Sequence, residues 1–316
     1  MNYQHLSTEE RACIEEYLIR GLNISEIAKR LQRNKSTISR ELRRNRNYKG
    51  EYRLIGASRK AAVRKRRERT RKLSRNIVAY KLVLDGLHRY WSPEEISNTL
   101  PKEHFVSTST IYRAINKGLF PKAEKEKLRR YGKKVKRSDK RGVCYDFSEV
   151  RKIGDRPQCV FGREEFGHWE LDTVVLWCGA NGYLSTMVER KTRFLISVRL
   201  KDKKAATMAD AIIAELGKLP FGAVKTLTVD RGLEFTDWKR VEEALSTKVY
   251  FCDPYKPYQR PTNENTNGLL RQFFPRRKPA SAYPFSLSVA TLFLNHRPRK
   301  CLSWSSPLSA FLLHLS

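Results

Sequence analysis

Acidic residues are scarce in this chain, long apolar runs are missing, and its cysteines never occur as close pairs. Asp and Glu total 33 against 64 Lys and Arg in 316 residues, a formal net charge of +31. A surplus that large exceeds what solubility requires and suits a polyanion, with nucleic acid the leading partner. No apolar run approaches the roughly 18–20 residues of a membrane span. The opening Met1-Asn-Tyr-Gln-His lacks the charged-then-apolar pattern of a secretion signal, so a soluble, cytoplasmic protein is expected. The six cysteines, at 13, 144, 159, 178, 252 and 301, form no Cys-x-x-Cys pair and no dense framework, which excludes a zinc ribbon or a disulfide scaffold.

What is present is unevenly spread. Residues 1–150 hold 38 basic and 17 acidic side chains, against 26 and 16 in residues 151–316, so the N-terminal half is the stronger electrostatic handle. Within it, residues 7–46 read as three short helices. Ser7-Thr-Glu-Glu10 is a capping-box pattern, with Ile14, Tyr17 and Leu18 following at helical spacing. Ile24, Ile27, Ala28 and Leu31 then share one face of a second helix. After a polar turn comes Ser36-Thr-Ile-Ser-Arg-Glu-Leu-Arg-Arg44, poor in apolar residues. Small Ala28 lets two helices cross closely and Ile38 plugs the core, the pattern of a helix-turn-helix whose second helix is free to enter a major groove. Lys35, Ser36, Thr37, Ser39, Arg40 and Arg43 are its candidate DNA readers.

A weaker copy of the pattern runs through Trp91–Leu100 and Val106–Ile115, with Ser92-Pro93 at a helix start. It serves either as a second DNA contact or as a helical spacer. Two basic runs, Arg59–Arg75 and Lys122–Arg141, read as linkers or phosphate-tracking segments, because blocks of like charge bury little. The expected divisions are a helix-turn-helix domain at 1–50, a linker at 51–75, a second helical unit at 76–120, a linker at 121–158, and a catalytic domain at 159–316.

Past residue 155 the pattern turns to strands. Residues 167–177, 183–189 and 193–200 read as three strands, 205–219 as a helix and 224–229 as a strand. A helix near 238–245, a strand at 248–252 and helices from Asn263 and about Ser288 complete the series. Three strands, helix, strand, helix, strand, helix is the order of an α/β ribonuclease-H-like fold. In that order the first strand is central and the fourth lies beside it in parallel. Asp172 and Asp230, read as ending apolar strands, can then meet at one edge, with Glu264 brought over them by the helix after the fifth strand. Alone, each has an ordinary reading as a turn, cap or dipole residue. Carboxylates brought so close repel unless a cation intervenes, and their hard oxygens favour Mg²⁺ or Mn²⁺. Two such ions suit an in-line displacement at phosphorus. Glu170, two positions before Asp172 and on the same strand face, is a possible auxiliary ligand or a partner for a nearby base. Arg271, seven after Glu264, suits a phosphate. Lys191, Arg193, Arg297 and Arg299 are further possible DNA contacts.

The segments Gly167-His-Trp-Glu-Leu-Asp, Val188-Glu-Arg-Lys-Thr-Arg193, Asp253-Pro-Tyr, Thr262-Asn-Glu-Asn-Thr-Asn-Gly-Leu-Leu-Arg-Gln-Phe-Phe-Pro275 and Leu294-Asn-His-Arg-Pro-Arg-Lys300 resemble those of a DDE transposase. In particular they resemble the bacterial family of insertion sequence thirty, over nearly the whole chain. The 34 positions from Asp230 to Glu264 suit that family's short second spacing. The resemblance implies an integrase-type catalytic domain with Asp172, Asp230 and Glu264 as catalytic, metal-binding triad. It also implies double-stranded DNA as partner, both element ends and target, and a homodimer or larger assembly on it. Two departures stand out. Arg231 replaces the family's Asn after the second Asp, placing a positive charge beside a proposed ligand. Pro261 replaces a Gly, removing an amide donor just ahead of Glu264. Both would suit an alternative, a transposase-derived DNA-binding protein or repressor with a weakened site.

Overall fold

The computed structural model describes residues 5–68, 73–74, 76–129, 150–177, 180–254, 256–275 and 283–315. They form two compact units, Met1–Tyr80 and Lys81–Ser316.

In the first unit the expected three helices are α1 (Thr8–Ile19), α2 (Ile24–Arg30) and α3 (Lys35–Asn45). The capping box closes as its residues require: Ser7 Oγ accepts from Glu10 N at 3.1 Å, and the Glu10 carboxylate accepts from Ser7 N at 2.7 Å. Asn23 and Glu26 repeat the device on α2, and Asn34 caps α3 by accepting from Ser36 N at 2.9 Å. Ile14, Ile27, Ala28, Ile38 and Leu42 form the core with Tyr52 and Ala57. Where the charge run from Arg59 suggests a linker, the chain instead continues a helix, α4 (Leu54–Glu68). A basic run can be helical when its charges find carbonyls. Lys60 Nζ donates to Arg46 O at 2.7 Å and Arg64 Nη1 to Arg44 O at 3.2 Å, satisfying the open C-terminal end of α3, while Ala57 enters the core.

Helix α5 (Ile77–His88) runs across the boundary between the units, and the second unit then carries α6 (Pro93–Thr99), α7 (Thr108–Asn116), α8 (Lys122–Glu126) and α9 (Gln158–Gly162). Of the second basic run, 130–141 lies outside the described residues. Strands β1 (His168–Trp177), β2 (Ala180–Glu189) and β3 (Leu195–Leu200) follow, then α10 (Ala205–Leu216), β4 (Thr226–Val229), α11 (Trp238–Leu245) and β5 (Lys248–Phe251). The unit ends with α12 (Pro261–Leu270), α13 (Leu287–Asn295) and α14 (Pro307–Leu312). The sheet order is β3-β2-β1-β4-β5, with β1 central, antiparallel to β2 and parallel to β4. This is the order the sequence pattern predicts.

Alternation along β1 sorts its side chains onto two faces. Trp169 and Leu171 bury on one face among Met208, Ile212, Val241 and Phe311, the layer of α10, α11 and α14. Glu170, Asp172, Val174 and Leu176 take the other, where Leu270, Phe273, Ala290 and Leu294 pack. There Tyr90, beyond α5, joins the rings of Phe273, Phe285 and Phe293, with centroids at 4.8, 5.6 and 5.9 Å. Arg297, read from the sequence as a possible DNA contact, is buried: it donates to Glu95 at 2.9 Å and Gln272 at 2.9 Å. Arg299 is half-buried, and desolvation pushes its guanidinium pKa down to about 10. Among the described residues, no helix is long and apolar enough to cross a membrane.

Candidate active site

The polar residues on the α12 face of β1 lie under the first turns of α12. That helix begins Pro261-Thr-Asn-Glu, and its N-cap, Arg260, provides no side-chain cap. Fully buried Glu170 does the capping from the neighbouring strand, accepting from Asn263 N at 2.9 Å. Its other oxygen pairs with buried Arg190, whose Nη2 also donates to Val160 O at 3.0 Å. Glu170 is thus spent on holding α12 to β1, and among the two sequence readings of it, pairing with a base is the one the geometry supports. Beside this pair lies Arg156, whose pKa falls to about 10, chiefly through burial and then through Arg190, while its Nη1 donates to Thr228 at 3.0 Å.

Two residues along β1, Asp172 is held from two sides. Asn267 Nδ2 donates to its Oδ2 at 2.8 Å, and Asn267 Oδ1 in turn accepts from Thr186 Oγ1 at 3.1 Å. On the other side stands Arg260. Its Nη2 meets Asp230 Oδ2 at 2.7 Å, and its Nη1 lies 3.3 Å from Asp172 Oδ1 and 2.6 Å from Leu171 O. One guanidinium therefore joins the two aspartates. Burial raises the pKa of Asp172, with Arg260 opposing. Burial alone would lower that of Arg260, but Asp172 and Asp230 hold it above its ordinary value. Glu264 is exposed on α12 and lines an open cleft of roughly 330 Å³ together with Asp172, Arg260, Asn267 and Arg271. Arg271 Nη2 donates to Val175 O at 2.7 Å.

These donors fit a hard divalent cation. Asp172 and Asp230 offer hard carboxylate oxygens and already share one cation, the Arg260 guanidinium; Glu264 lines the cleft beside Asp172, but its carboxylate is not gathered with both aspartates within 4.8 Å.

The two departures noted in the sequence look different in three dimensions. Pro261 is the first residue of α12, a position whose amide has no intrahelical partner, so the lost donor costs nothing there. Arg231 Nε donates at 3.1 Å to the carbonyl of Cys252, after β5. The positive charge on Asp230 comes instead from Arg260, which sequence reasoning passed over. A signal for it existed: a residue before proline is kept out of the helical region, so Arg260, four before Glu264, has to sit as a bent N-cap rather than on the helix face.

Of the candidate DNA readers, Lys35, Ser36, Ser39, Arg40 and Arg43 are exposed on α3, and Thr37 is half-buried. Arg40 is braced by its own helix, donating to Ser36 O and Ser36 Oγ at 3.0 Å each.

Cys159, Glu165 and His168 also converge, with one ligand-type atom of each within 4.8 Å of the others. His168 bonds Thr226 at 2.8 Å and Glu165 at 2.9 Å, and Glu165 takes both the Cys159 thiol, at 3.3 Å, and the Lys225 ammonium, at 2.5 Å. These hydrogen bonds satisfy the cluster, and Lys225 already supplies its positive charge.

Comparison with known proteins bears on both units. The family described as a helix-turn-helix domain matches residues 2–45, and that described as an integrase core domain matches residues 162–257. The chain is 35% identical to the transposase InsI for insertion sequence element IS30A of Escherichia coli (strain K12), covering 96% of this chain and 82% of that one. It is 36% identical to the transposase for insertion sequence element IS1086 of Cupriavidus metallidurans, over 97% of this chain and 94% of that one. Among solved structures, the catalytic core domain of BIV integrase covers 48% of the chain at 19% identity and a TM-score of 0.38, too loose a likeness to carry weight.

Proposed function

Because this chain belongs to the IS30 family of transposases, we propose that Asp172, Asp230 and Glu264 are its catalytic, metal-holding triad, performing DNA cleavage and strand transfer at one site. It is a transposase with a DNA-binding helix-turn-helix domain and an integrase core, an enzyme of nucleotidyl-transferase type that uses divalent metal. The observation that carries the triad assignment is the guanidinium shared by Asp172 and Asp230 beside the cleft that Glu264 lines.

Two Mg²⁺ or Mn²⁺ ions bound there would supply activation of the attacking oxygen and stabilisation of the leaving oxygen. The chain's own residues do the positioning. Asn267 fixes the rotamer of Asp172, and Glu170 anchors the first turn of α12 on β1, which sets where Glu264 stands. Arg271, at the cleft wall, presents a guanidinium to a DNA phosphate. On the other unit, α3 enters a major groove, with Lys35, Ser36, Thr37, Ser39, Arg40 and Arg43 toward bases and backbone of the terminal repeats. On this reading residues 1–50 recognise DNA and 159–316 cut it, with 121–158 as a basic connection, 76–120 as a helical unit, and 51–75 carrying α4, which braces the helix-turn-helix rather than acting as a free linker. Joining two element ends calls for a dimer or larger assembly, working at the nucleoid in the bacterial cytoplasm.

The test is incubation of the purified full chain with a labelled duplex bearing its terminal repeat and Mg²⁺ or Mn²⁺. Nicks at the 3′ end and joined products are expected. Asp172→Asn, Asp230→Asn and Glu264→Gln should each abolish both products while sparing end binding. Retained cleavage by any one variant removes that residue from the triad, and no product from the native chain with binding intact would leave a DNA-binding protein only.

A further inference from the structure

Arg260 stands where the proposed chemistry needs a metal, and it is built to stand there. Its backbone is held by Pro261, which keeps the preceding residue out of the helical region, and φ −122°, ψ 55° place it as the bent N-cap of α12. Its side chain is only 12% exposed, and its terminal nitrogens reach three acceptors, Leu171 O and Asp172 Oδ1 in the middle of β1 and Asp230 Oδ2 just past the end of β4. Asp172 and Asp230 bring two negative charges and Arg260 one positive charge, so the guanidinium offsets much of the repulsion between them but not all of it. A divalent ion held by Asp172 and Asp230 would compete with the guanidinium for Asp172 Oδ1 and Asp230 Oδ2.

We propose that Arg260 is the resident counter-ion of this site: it holds Asp172 and Asp230 together before metal arrives, yields their oxygens to the metal, and then turns its guanidinium to the DNA phosphate in the cleft. The inference rests on the triad reading above. The released group remains tethered at the cleft wall, where the DNA backbone is the anion at hand. Arg260 acts as a positioning residue in the metal-free protein, and metal and DNA binding become linked: displacing the guanidinium opposes metal in the absence of DNA, and a phosphate that accepts it removes that opposition.

Mn²⁺ titration of the full chain, by calorimetry and by electron paramagnetic resonance of the free ion, tests this without reference to activity. Arg260→Gln should bind Mn²⁺ on the order of tenfold more tightly than the native chain without DNA, because a competing charge within contact distance has gone. A structural lesion would weaken binding instead. The same variant should melt lower in chelator than the native chain and regain the difference in Mn²⁺, and its Mn²⁺ affinity should respond less to added duplex. Arg260→Lys, which keeps the charge but lacks the two-pronged geometry, should fall between the two and covers the case in which the Gln variant fails to fold. Asp230→Asn is the control for the site itself. Weaker Mn²⁺ binding in Asp230→Asn with unchanged or weaker binding in Arg260→Gln overturns the role of Arg260 alone. Unchanged Mn²⁺ binding in Asp230→Asn overturns the metal site on which it rests.

Discussion

Replacing Glu170 with Gln isolates how the fold holds its site. Glu170 is fully buried, with one carboxylate oxygen on Arg190 and the other on the amide of Asn263. Gln keeps the shape and an acceptor for Asn263 but turns an amide donor, or a neutral oxygen, toward a guanidinium. Arg190 then shares its buried pocket with Arg156, and the carboxylate that both face is gone. Breaking a buried ion pair from one side costs about 3–5 kcal/mol, most of it from the charge left behind. In a unit of this size about 1 kcal/mol moves Tm by roughly 2–4 °C, so the transition of the catalytic unit should fall by about 6–20 °C. Scanning calorimetry of the full chain reads this and separates the two units' transitions. Below the lowered Tm, Mn²⁺ affinity should stay near the native value, because Glu170 holds α12 rather than metal. Replacing both Glu170 and Arg190 with Met should recover part of the loss, since well-packed apolar groups replace buried pairs at little cost, although Arg190 also serves Val160 O. A loss under about 1 kcal/mol would refute the reasoning from burial. A tenfold drop in Mn²⁺ affinity with the fold intact would make Glu170 a ligand after all.

Three further outcomes are expected. Asn267→Ala, which frees Asp172 Oδ2, should lower the rate of strand cleavage by roughly 10–100-fold, the usual range for residues that orient a metal ligand, with KM for DNA nearly unchanged; a change confined to KM would place Asn267 on the DNA instead. His168 is buried and its pKa lies below the ordinary value, mainly for that reason. Above its unfolded pKa of about 6.5 the imidazole is neutral in both states, and as pH falls through that value the unfolded chain takes up the proton first, so stability should decline toward the lower folded pKa. Denaturant midpoints between pH 7.5 and 5.5 should therefore fall less in His168→Gln, and equal slopes would assign the decline to other groups. Arg40→Ala should narrow the preference for the terminal repeat over random duplex by about 1–3 kcal/mol if Arg40 reads a base, whereas a uniform loss on both with a shallower salt dependence would make it a phosphate contact.

Much of this molecule is legible in its residues because the signals are local. Capping boxes, the small-residue crossing at Ala28 and the two-residue alternation along β1 each act over a few positions. Hence the helix-turn-helix and the series of strands and helices are legible from local pattern, and matching that series to a ribonuclease-H-like order is what put β1 at the centre with β4 beside it. Local charge patterns mislead when their partners are distant. The basic run after Arg59 is a helix because Lys60 and Arg64 find the carbonyl end of α3, and Arg297 is interior because Glu95 and Gln272 await it.

The sequence by itself determined which carboxylates this protein carries, on which strands and helix, and what polyanion its surface suits. Only the tertiary structure decided what each charge faces. It turned Glu170 to Arg190 and the start of α12, sent Arg231 to a carbonyl, and set Arg260 between Asp172 and Asp230. The physical reason is range: secondary structure is written in neighbours a few residues apart, whereas a buried charge is settled by whichever opposite charge or dipole the fold delivers, 20 residues away for Glu170 and Arg190, and 30 for Asp230 and Arg260.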